Sequence, residues 1–357
     1  KTTTTSLIST VLQAGGLDPT CIVGGRVKSL GSHSRFGTGE VLVAEADESD
    51  GSFVKLPSSI AVITNIDREH LDFYGDLESI KRGFVEYANL VPFYGAVILC
   101  ADDKNVRDIM PAINRRKITY SLGGPAPEPK AVAADVRGEI ISRADQGTKF
   151  SVEYGGEPLG EITIGIPGNH YVRNALAVCA VGMEMQIPFY AIQKGLEDFE
   201  GVGRRFEVKG TEAGIIVVDD YGHHPTEIAA TVKAALGNYG RRLFVMFQPH
   251  RYSRTLALAD EFAACFDGAE AVYVTDIYPA GEKPIQGVTA QTIIDRVEAR
   301  GGVRIHHKSS FEEIVATLRS ELREGDMVIT MGAGDIYRAG EMLLEKLSDG
   351  GKRKKDA

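Results

Sequence analysis

Short unbroken apolar runs alternate along the chain with stretches whose apolar residues recur every three or four positions. Val41-Leu42-Val43-Ala44, Ile60-Ala61-Val62-Ile63 and Ala96-Val97-Ile98-Leu99-Cys100 read as buried strands, because a strand covered on both faces must be apolar on both. Between the last two, Leu77, Ile80, Phe84, Tyr87 and Ala88 share one face of a helix. From 131 to 166 the pattern changes to alternating residues broken by Gly147, Gly155-Gly156 and Gly160, which predicts antiparallel hairpins attached to the sheet. A helix follows over 170–185. After the glycine-punctuated Glu200-Gly201-Val202-Gly203 a second domain begins near Arg205. It reads as strand 215–218, helix 226–236, strand 243–247, helix 253–266, strand 271–274, helix 291–299 and strand 327–330. The expected fold is α/β throughout, with domains 1–203 and 204–357. The first is a mainly parallel central sheet with helices on both faces plus a small antiparallel sheet, and the second is a Rossmann-like α/β domain.

Composition agrees with a soluble globular protein, at 357 residues, 43% hydrophobic and 25% charged, long enough for two domains and a large core. The net charge of -9 argues against a general nucleic-acid binder, while leaving room for a local basic pocket. The basic run Lys352-Arg353-Lys354-Lys355 reads as a solvated terminus. Cys21, Cys100, Cys179 and Cys265 lie far apart with no Cys-x-x-Cys pair, so neither a disulfide framework nor a zinc site is expected, and a reducing cytoplasm fits. No apolar run is long enough to span a bilayer and no signal peptide is evident. A chain that opens inside a motif leaves a preceding segment open.

That opening motif is Lys1-Thr2-Thr3-Thr4 running into Ser6-Leu7-Ile8-Ser9-Thr10-Val11-Leu12. It looks like the second half of a phosphate-binding loop entering its helix, where a Lys reaches phosphate oxygens and a hydroxyl binds Mg²⁺. Without the glycine half, a frayed polar terminus is the plainer reading. More chemistry gathers at predicted strand ends, where open α/β sheets place ligands. Glu45-Ala46-Asp47-Glu48-Ser49-Asp50 is either a solvated acidic loop or a source of oxygen ligands, with Glu45 nearest the strand. Thr64-Asn65-Ile66-Asp67-Arg68-Glu69-His70 ends the next strand, and His70 is expected within reach of the same cation as Glu45. In Gly168-Asn169-His170-Tyr171-Val172-Arg173-Asn174, His170 and Asn174 stand one helical turn apart and suit an adenine edge. Helix capping by Asn169 is the equal alternative.

The second domain carries Asp219-Asp220-Tyr221-Gly222-His223-His224-Pro225, a strand end turning into a helix with Pro225 suited to its first turn. The adjacent histidines lack a third ligand at metal spacing. Phe247-Gln248-Pro249-His250-Arg251-Tyr252-Ser253-Arg254 places two arginines at a helix start, which favours a carboxylate or phosphate. Gly332-Ala333-Gly334 lacks the third glycine and downstream acid of a dinucleotide turn.

Together with Arg204-Arg205-Phe206, Asp276-Ile277-Tyr278-Pro279-Ala280, Lys283-Pro284-Ile285-Gln286-Gly287-Val288-Thr289 and Met331-Gly332-Ala333-Gly334-Asp335, these segments resemble, in order and over essentially the whole chain, the central and C-terminal domains of the Mur ligase superfamily. The likeness is greatest to its branch that adds L-alanine. It implies a P-loop-type first domain and ATP-dependent, ADP-forming ligation of L-alanine to the carboxylate of UDP-N-acetylmuramate, in peptidoglycan precursor synthesis. An acyl phosphate would form first and the amine would then displace phosphate. By the family pattern Lys1, Thr2 and Thr3 contact ATP. Thr2 and Glu45 hold Mg²⁺, or Mn²⁺ in its place, and His70 serves a second cation. His170 and Asn174 meet the adenine, and Arg205 and Asp220 reach the phosphates and ribose. Tyr221, His223, His250, Arg251 and Arg254 form the amino-acid pocket, with Lys1, His70, His223 and His250 counted as catalytic. Two domains sharing one reaction imply closure. The expected setting is cytoplasmic, without nucleic acid or membrane, as a monomer or homodimer.

The resemblance also implies that a uridine-gripping N-terminal domain is not in this chain, which by itself is then inactive. Tyr171 stands where relatives usually carry Asn, and Ser32-His33-Ser34 replaces a loop usually written Asn-Ala. Val85 occupies the position of the carbamylated lysine of some relatives, so no carbamate is expected. Two alternatives stay open: a recycling ligase joining a preformed tripeptide to the same sugar nucleotide, and an inactive ATP-binding fragment.

Overall fold

A computed structural model describes residues 1–27, 32–123, 134–145 and 147–355. The chain forms two compact units, one ending at Gly203 and the other starting at Arg204.

In the first unit, helix α1 (Thr2–Ala14) buries Leu7, Val11 and Leu12. The glycine at 195 lets helix α6 (Phe189–Glu197) approach it, since a Cβ there would stand 2.8 Å from Val11 Cα. Strands β1 (Thr20–Val27), β2 (Ser32–Arg35) and β3 (Leu42–Ala44) make a three-stranded sheet in the order β2-β1-β3, antiparallel to β2 and parallel to β3. The segment expected as a buried strand of the main sheet thus lies in this small one. Only Val43 of β3 is buried, and Leu42 is 61% exposed.

The main sheet holds β4 (Ile60–Ile63), β5 (Ala96–Cys100), β6 (Lys117–Gly123), β7 (Val136–Ala144), β8 (Gly147–Tyr154) and β9 (Glu157–Ile164) in that order. The first four are parallel and the last pairings antiparallel, so the hairpins read from the sequence extend this sheet rather than forming their own. Helices α2 (Leu71–Tyr74), α3 (Leu77–Asn89) and α4 (Lys104–Ile109) complete the run before β6. On α3 the apolar stripe works as expected, with Ile80, Tyr87 and Ala88 buried and Val85 packed against the same cluster. Asp76 caps it by accepting from Ser79 N at 2.7 Å. Helix α5 (Asn169–Glu184) packs against β5 and β6. Its N-cap is Gly168, and Asn169 instead accepts from Arg143 Nη2 at 3.0 Å, so the capping alternative fails.

The second unit has one sheet of β10 (Glu207–Glu212), β11 (Ile215–Asp220), β12 (Leu243–Phe247), β13 (Ala271–Val274), β14 (Arg304–His307) and β15 (Met327–Met331), ordered β10-β11-β15-β12-β13-β14. Only β10 runs antiparallel. Helix α7 (Pro225–Tyr239) starts at Pro225 and ends at Gly240, whose φ of 59° suits a residue without Cβ. The helix expected over 253–266 is two short ones, α8 (Tyr252–Ala257) and α9 (Ala259–Phe262), broken where Leu258 takes φ -117°. Helices α10 (Gln291–Arg300), α11 (Phe311–Glu321) and α12 (Tyr337–Lys355) close the unit. Val217, Phe244, Tyr273 and Val328 pack with Ile314, Leu318 and Leu343 beneath one face. Site-bearing loops therefore leave the carboxyl ends of β11, β12 and β15 from a buried, mainly apolar frame.

Candidate functional site

In the first unit the start of α1 faces the acidic loop after β3. Glu45 follows β3 directly, and the parallel pairing with β1 sets it beside Gly24. Its carboxylate accepts from Thr2 Oγ1 at 2.8 Å and from Gly24 N at 2.7 Å. The adjoining Gly25 leaves space for Thr2, because a Cβ would come within 2.8 Å of Thr2 Cγ2. Lys1 Nζ lies 2.8 Å from Asp47 Oδ1 and 2.7 Å from Glu48 Oε2. Burial works to lower the Lys1 pKa, but the two carboxylates win and hold it above its ordinary value.

His70 takes a left-handed backbone, φ 54°, uncommon for a residue with a Cβ. Its Nε2 stands 3.9 Å from Glu48 Oε1. Asp47, Glu48 and His70 each offer a ligand atom within 4.8 Å of the others, the arrangement a cation would occupy. The structure gathers His70 with Glu48 and Asp47, whereas Glu45 is absent from that trio. Neither Asp47 nor Glu48 was singled out from the sequence, and their place in the same acidic run was the available signal. Tyr74 Oη donates to the Glu48 carbonyl at 2.7 Å and fixes the loop from below.

His170 and Asn174 lie one turn apart on α5, both half-buried, with the His170 ring 4.1 Å from that of Tyr171. In the second unit the paired acids at the end of β11 differ in role. Asp219 binds Arg204 Nε at 2.9 Å and Thr330 Oγ1 at 2.7 Å. Arg204 also donates to the carbonyls of Gly332 and Gly334, tying strand ends together. Asp220, expected to reach a ribose, is 4% exposed, and its oxygens accept from Phe206 N and Gly222 N. Burial pushes its carboxyl up to about 6, against the pull of Arg205 and those N–H groups. Arg205 Nη1 lies 3.7 Å from Glu227 Oε1, and its guanidinium covers the Tyr221 ring.

His224 caps α7, and Glu227 answers by accepting from His223 N at 3.1 Å and His224 N at 3.3 Å. His223 Nδ1 lies 3.0 Å from the Tyr221 carbonyl. A carbonyl only accepts, so Nδ1 carries a proton. The His223 and His250 rings are 5.5 Å apart, and Tyr278 stacks on the far side of His250. Burial first, then the positive charge of His223, Arg254 and Arg251, depresses the His250 pKa to about 4. Arg254 Nη1 turns back to the His250 carbonyl at 3.1 Å, and Arg251 Nε is 4.0 Å from Glu282 Oε1. The structure therefore brings Tyr221, His223, His250, Arg251 and Arg254 to one strand-end cluster. It adds Glu227, the capping-box acid one turn on from His223, and Tyr278 and Glu282, which no local spacing connects to it.

Residues 1–182 match the family model described as Mur ligase middle domain, and 204–334 that described as Mur ligase, glutamate ligase domain. A UDP-N-acetylmuramate–L-alanine ligase of Geotalea uraniireducens (strain Rf4) is 51% identical over 347 residues, 97% of this chain and 74% of that protein. The namesake of Geotalea daltonii is 51% identical over 98% of this chain and 74% of its own length. Among solved structures, a UDP-N-acetylmuramate-alanine ligase of Thermotoga maritima superposes with TM-score 0.77 at 26% identity, covering 98% of this chain and 74% of that one. A MurF ligase of Thermotoga maritima in complex with ADP shares the fold, with TM-score 0.74 at 18% identity over 98% of this chain and 78% of that one. The chain belongs to the Mur ligase family.

Proposed function

We infer that the protein is an ATP-dependent, ADP-forming ligase that joins L-alanine to the carboxylate of UDP-N-acetylmuramate in peptidoglycan precursor synthesis. The observation that carries this reading is the 51% identity, across 97% of the chain, to a relative bearing that name. Chemistry makes the sequence of events reasonable. A carboxylate is a poor acyl donor at neutral pH, so its oxygen attacks the γ-phosphorus and ADP leaves. The amine then adds to the acyl carbon, and the tetrahedral intermediate expels phosphate.

The residues of the first unit suit the nucleotide half of this reaction. Lys1 is a cation whose present partners include the Asp47 and Glu48 carboxylates, and phosphate oxygens would replace them. Thr2 Oγ1 and Glu45, already 2.8 Å apart, form an all-oxygen donor set that fits Mg²⁺. Asp47, Glu48 and His70 fit a second cation, although an imidazole is an unusual partner for Mg²⁺ and suits Mn²⁺ better. Bound there, divalent ions would neutralise phosphate charge as it shifts. His170 and Asn174 offer donors and acceptors for an adenine edge.

The second unit suits the amine half. Arg251 and Arg254 are placed to receive the amino-acid carboxylate. His250, with its pKa near 4, is neutral at physiological pH and lies beside His223, ring centroids 5.5 Å apart. The alanine ammonium must lose a proton before attack, and this imidazole pair borders the pocket where that proton would leave. We place the reaction in the cytoplasm. All four cysteines are free and buried, and no helix among the described residues is long and apolar enough to cross a membrane.

The test offers the full-length protein MgATP and UDP-N-acetylmuramate with either L-alanine or the tripeptide, and resolves products by mass. Product with alanine supports the assignment. Product with tripeptide alone moves the protein to recycling, and ATP binding without product in either arm contradicts a ligase.

A further inference from the structure

Arg251 is the N-cap of α8 and holds φ 71°, a left-handed conformation that a residue with a Cβ keeps only when its surroundings enforce it. Its N–H donates to the Tyr278 carbonyl at 2.9 Å, and its own carbonyl accepts from Thr255 N at 3.2 Å and Thr255 Oγ1 at 2.9 Å. These bonds fix its backbone and leave the long side chain free. The constraint on the guanidinium comes from the loop after β13. Glu282 accepts from Ser253 Oγ at 2.6 Å and from Ser253 N at 3.1 Å, so both carboxylate oxygens are anchored to the first turn of α8. The same carboxylate stands 4.0 Å from Arg251 Nε. At that separation the attraction is electrostatic rather than a formed hydrogen bond. It engages the Nε side of the guanidinium and leaves both Nη groups open for a bidentate partner.

We propose that Glu282 is a positioning residue that holds the Arg251 guanidinium ready for the carboxylate of the incoming amino acid. The proposal rests on the amino-acid pocket assigned above. Glu282 does not touch the amino acid. It presents a fixed negative charge behind Arg251, so the ligand carboxylate meets an arginine whose rotamers are already biased toward Glu282. Bonds from Ser253 and the nearby Arg251 outweigh burial and hold the Glu282 pKa low, keeping that charge present across the neutral range.

Glu282→Gln tests this with little disturbance, because the amide oxygen can accept from Ser253 N while its NH₂ donates to Ser253 Oγ, and the charge is gone. In the full-length protein supplied with MgATP and UDP-N-acetylmuramate, the KM for L-alanine should rise about tenfold, with kcat and the KM for ATP within about twofold. A purely structural role would lower kcat and thermal stability together without that split. Arg251→Ala is measured alongside. If it raises the alanine KM and Glu282→Gln leaves it unchanged, the positioning role is overturned and the pocket stands. If neither variant changes the alanine KM, the pocket assignment itself falls.

Discussion

Tyr278 lies flat against His250, with ring centroids 5.6 Å apart and planes within 8°. The backbone reinforces the stack, since Tyr278 N donates to the Pro249 carbonyl at 2.8 Å and Arg251 N to the Tyr278 carbonyl. The loop after β13 therefore sets the orientation of the imidazole that leaves the end of β12. Tyr278→Leu keeps the apolar bulk and removes the aromatic face, a loss of about 1 kcal/mol for a stacked pair. The alanine KM should rise about fivefold while the KM for ATP holds. Equal changes in both would mean that the loop, not the stack, had been disturbed.

Arg254→Ala should raise the alanine KM by about 10- to 100-fold, because an unpaired substrate carboxylate costs about 1–3 kcal/mol. Arg254 also bonds the His250 carbonyl, so Arg254→Lys is the control. It keeps the charge and loses the planar fork, and should fall between wild type and alanine. An alanine dependence equal to wild type removes Arg254 from the pocket.

Glu45 touches Thr2 Oγ1 and Gly24 N, whereas His70 gathers with Asp47 and Glu48. The two cation positions proposed above can be told apart by mutation. Glu45→Gln should raise the Mg²⁺ concentration required for half-maximal MgATP binding by about tenfold. His70→Ala should slow turnover and leave nucleotide affinity nearly intact. Titration of a fluorescent ATP analogue against Mg²⁺ separates them, and a parallel loss of nucleotide affinity in His70→Ala would merge the two positions into one.

Stability between pH 4 and 6.5 has two opposing contributions. Asp220 holds its proton more tightly folded, near 6, than at the ordinary 3.8. The folded chain therefore binds more protons in that window, and this contribution is lost as pH rises through it, by up to about 3 kcal/mol. His250 is depressed from 6.5 to about 4. The unfolded chain then binds more protons, so its contribution is lost as pH falls through the same window. Urea unfolding at pH 4.5 and 6.5 should show Asp220→Asn gaining relative stability at the higher pH and His250→Gln losing it. Identical pH slopes in wild type and both variants would contradict these environments.

Legibility in the sequence followed burial. β5 and β12 are apolar at every position and buried at every position, so pattern alone finds them. β14 buries only Ile305 of Arg304-Ile305-His306-His307, and an edge strand of that composition has no signal. The break at Leu258 was hidden because its apolar spacing continues through it. Candidate site residues were legible where a motif sits at one strand end, as with His223 or Arg254. Glu282 acts on Ser253 from 29 residues away, and Lys1 finds Glu48 across 47. Such pairings are made by the fold, and no local spacing records them.

In the reaction proposed for this ligase, the sugar carboxylate is activated by phosphorylation before the amine attacks. UDP-N-acetylmuramate carrying ¹⁸O in its carboxylate, turned over by the full-length protein with MgATP and L-alanine, tests it directly. If the acyl phosphate forms, each phosphate released carries one labelled oxygen and the new amide keeps the other. Unlabelled phosphate alongside amide product would contradict the account.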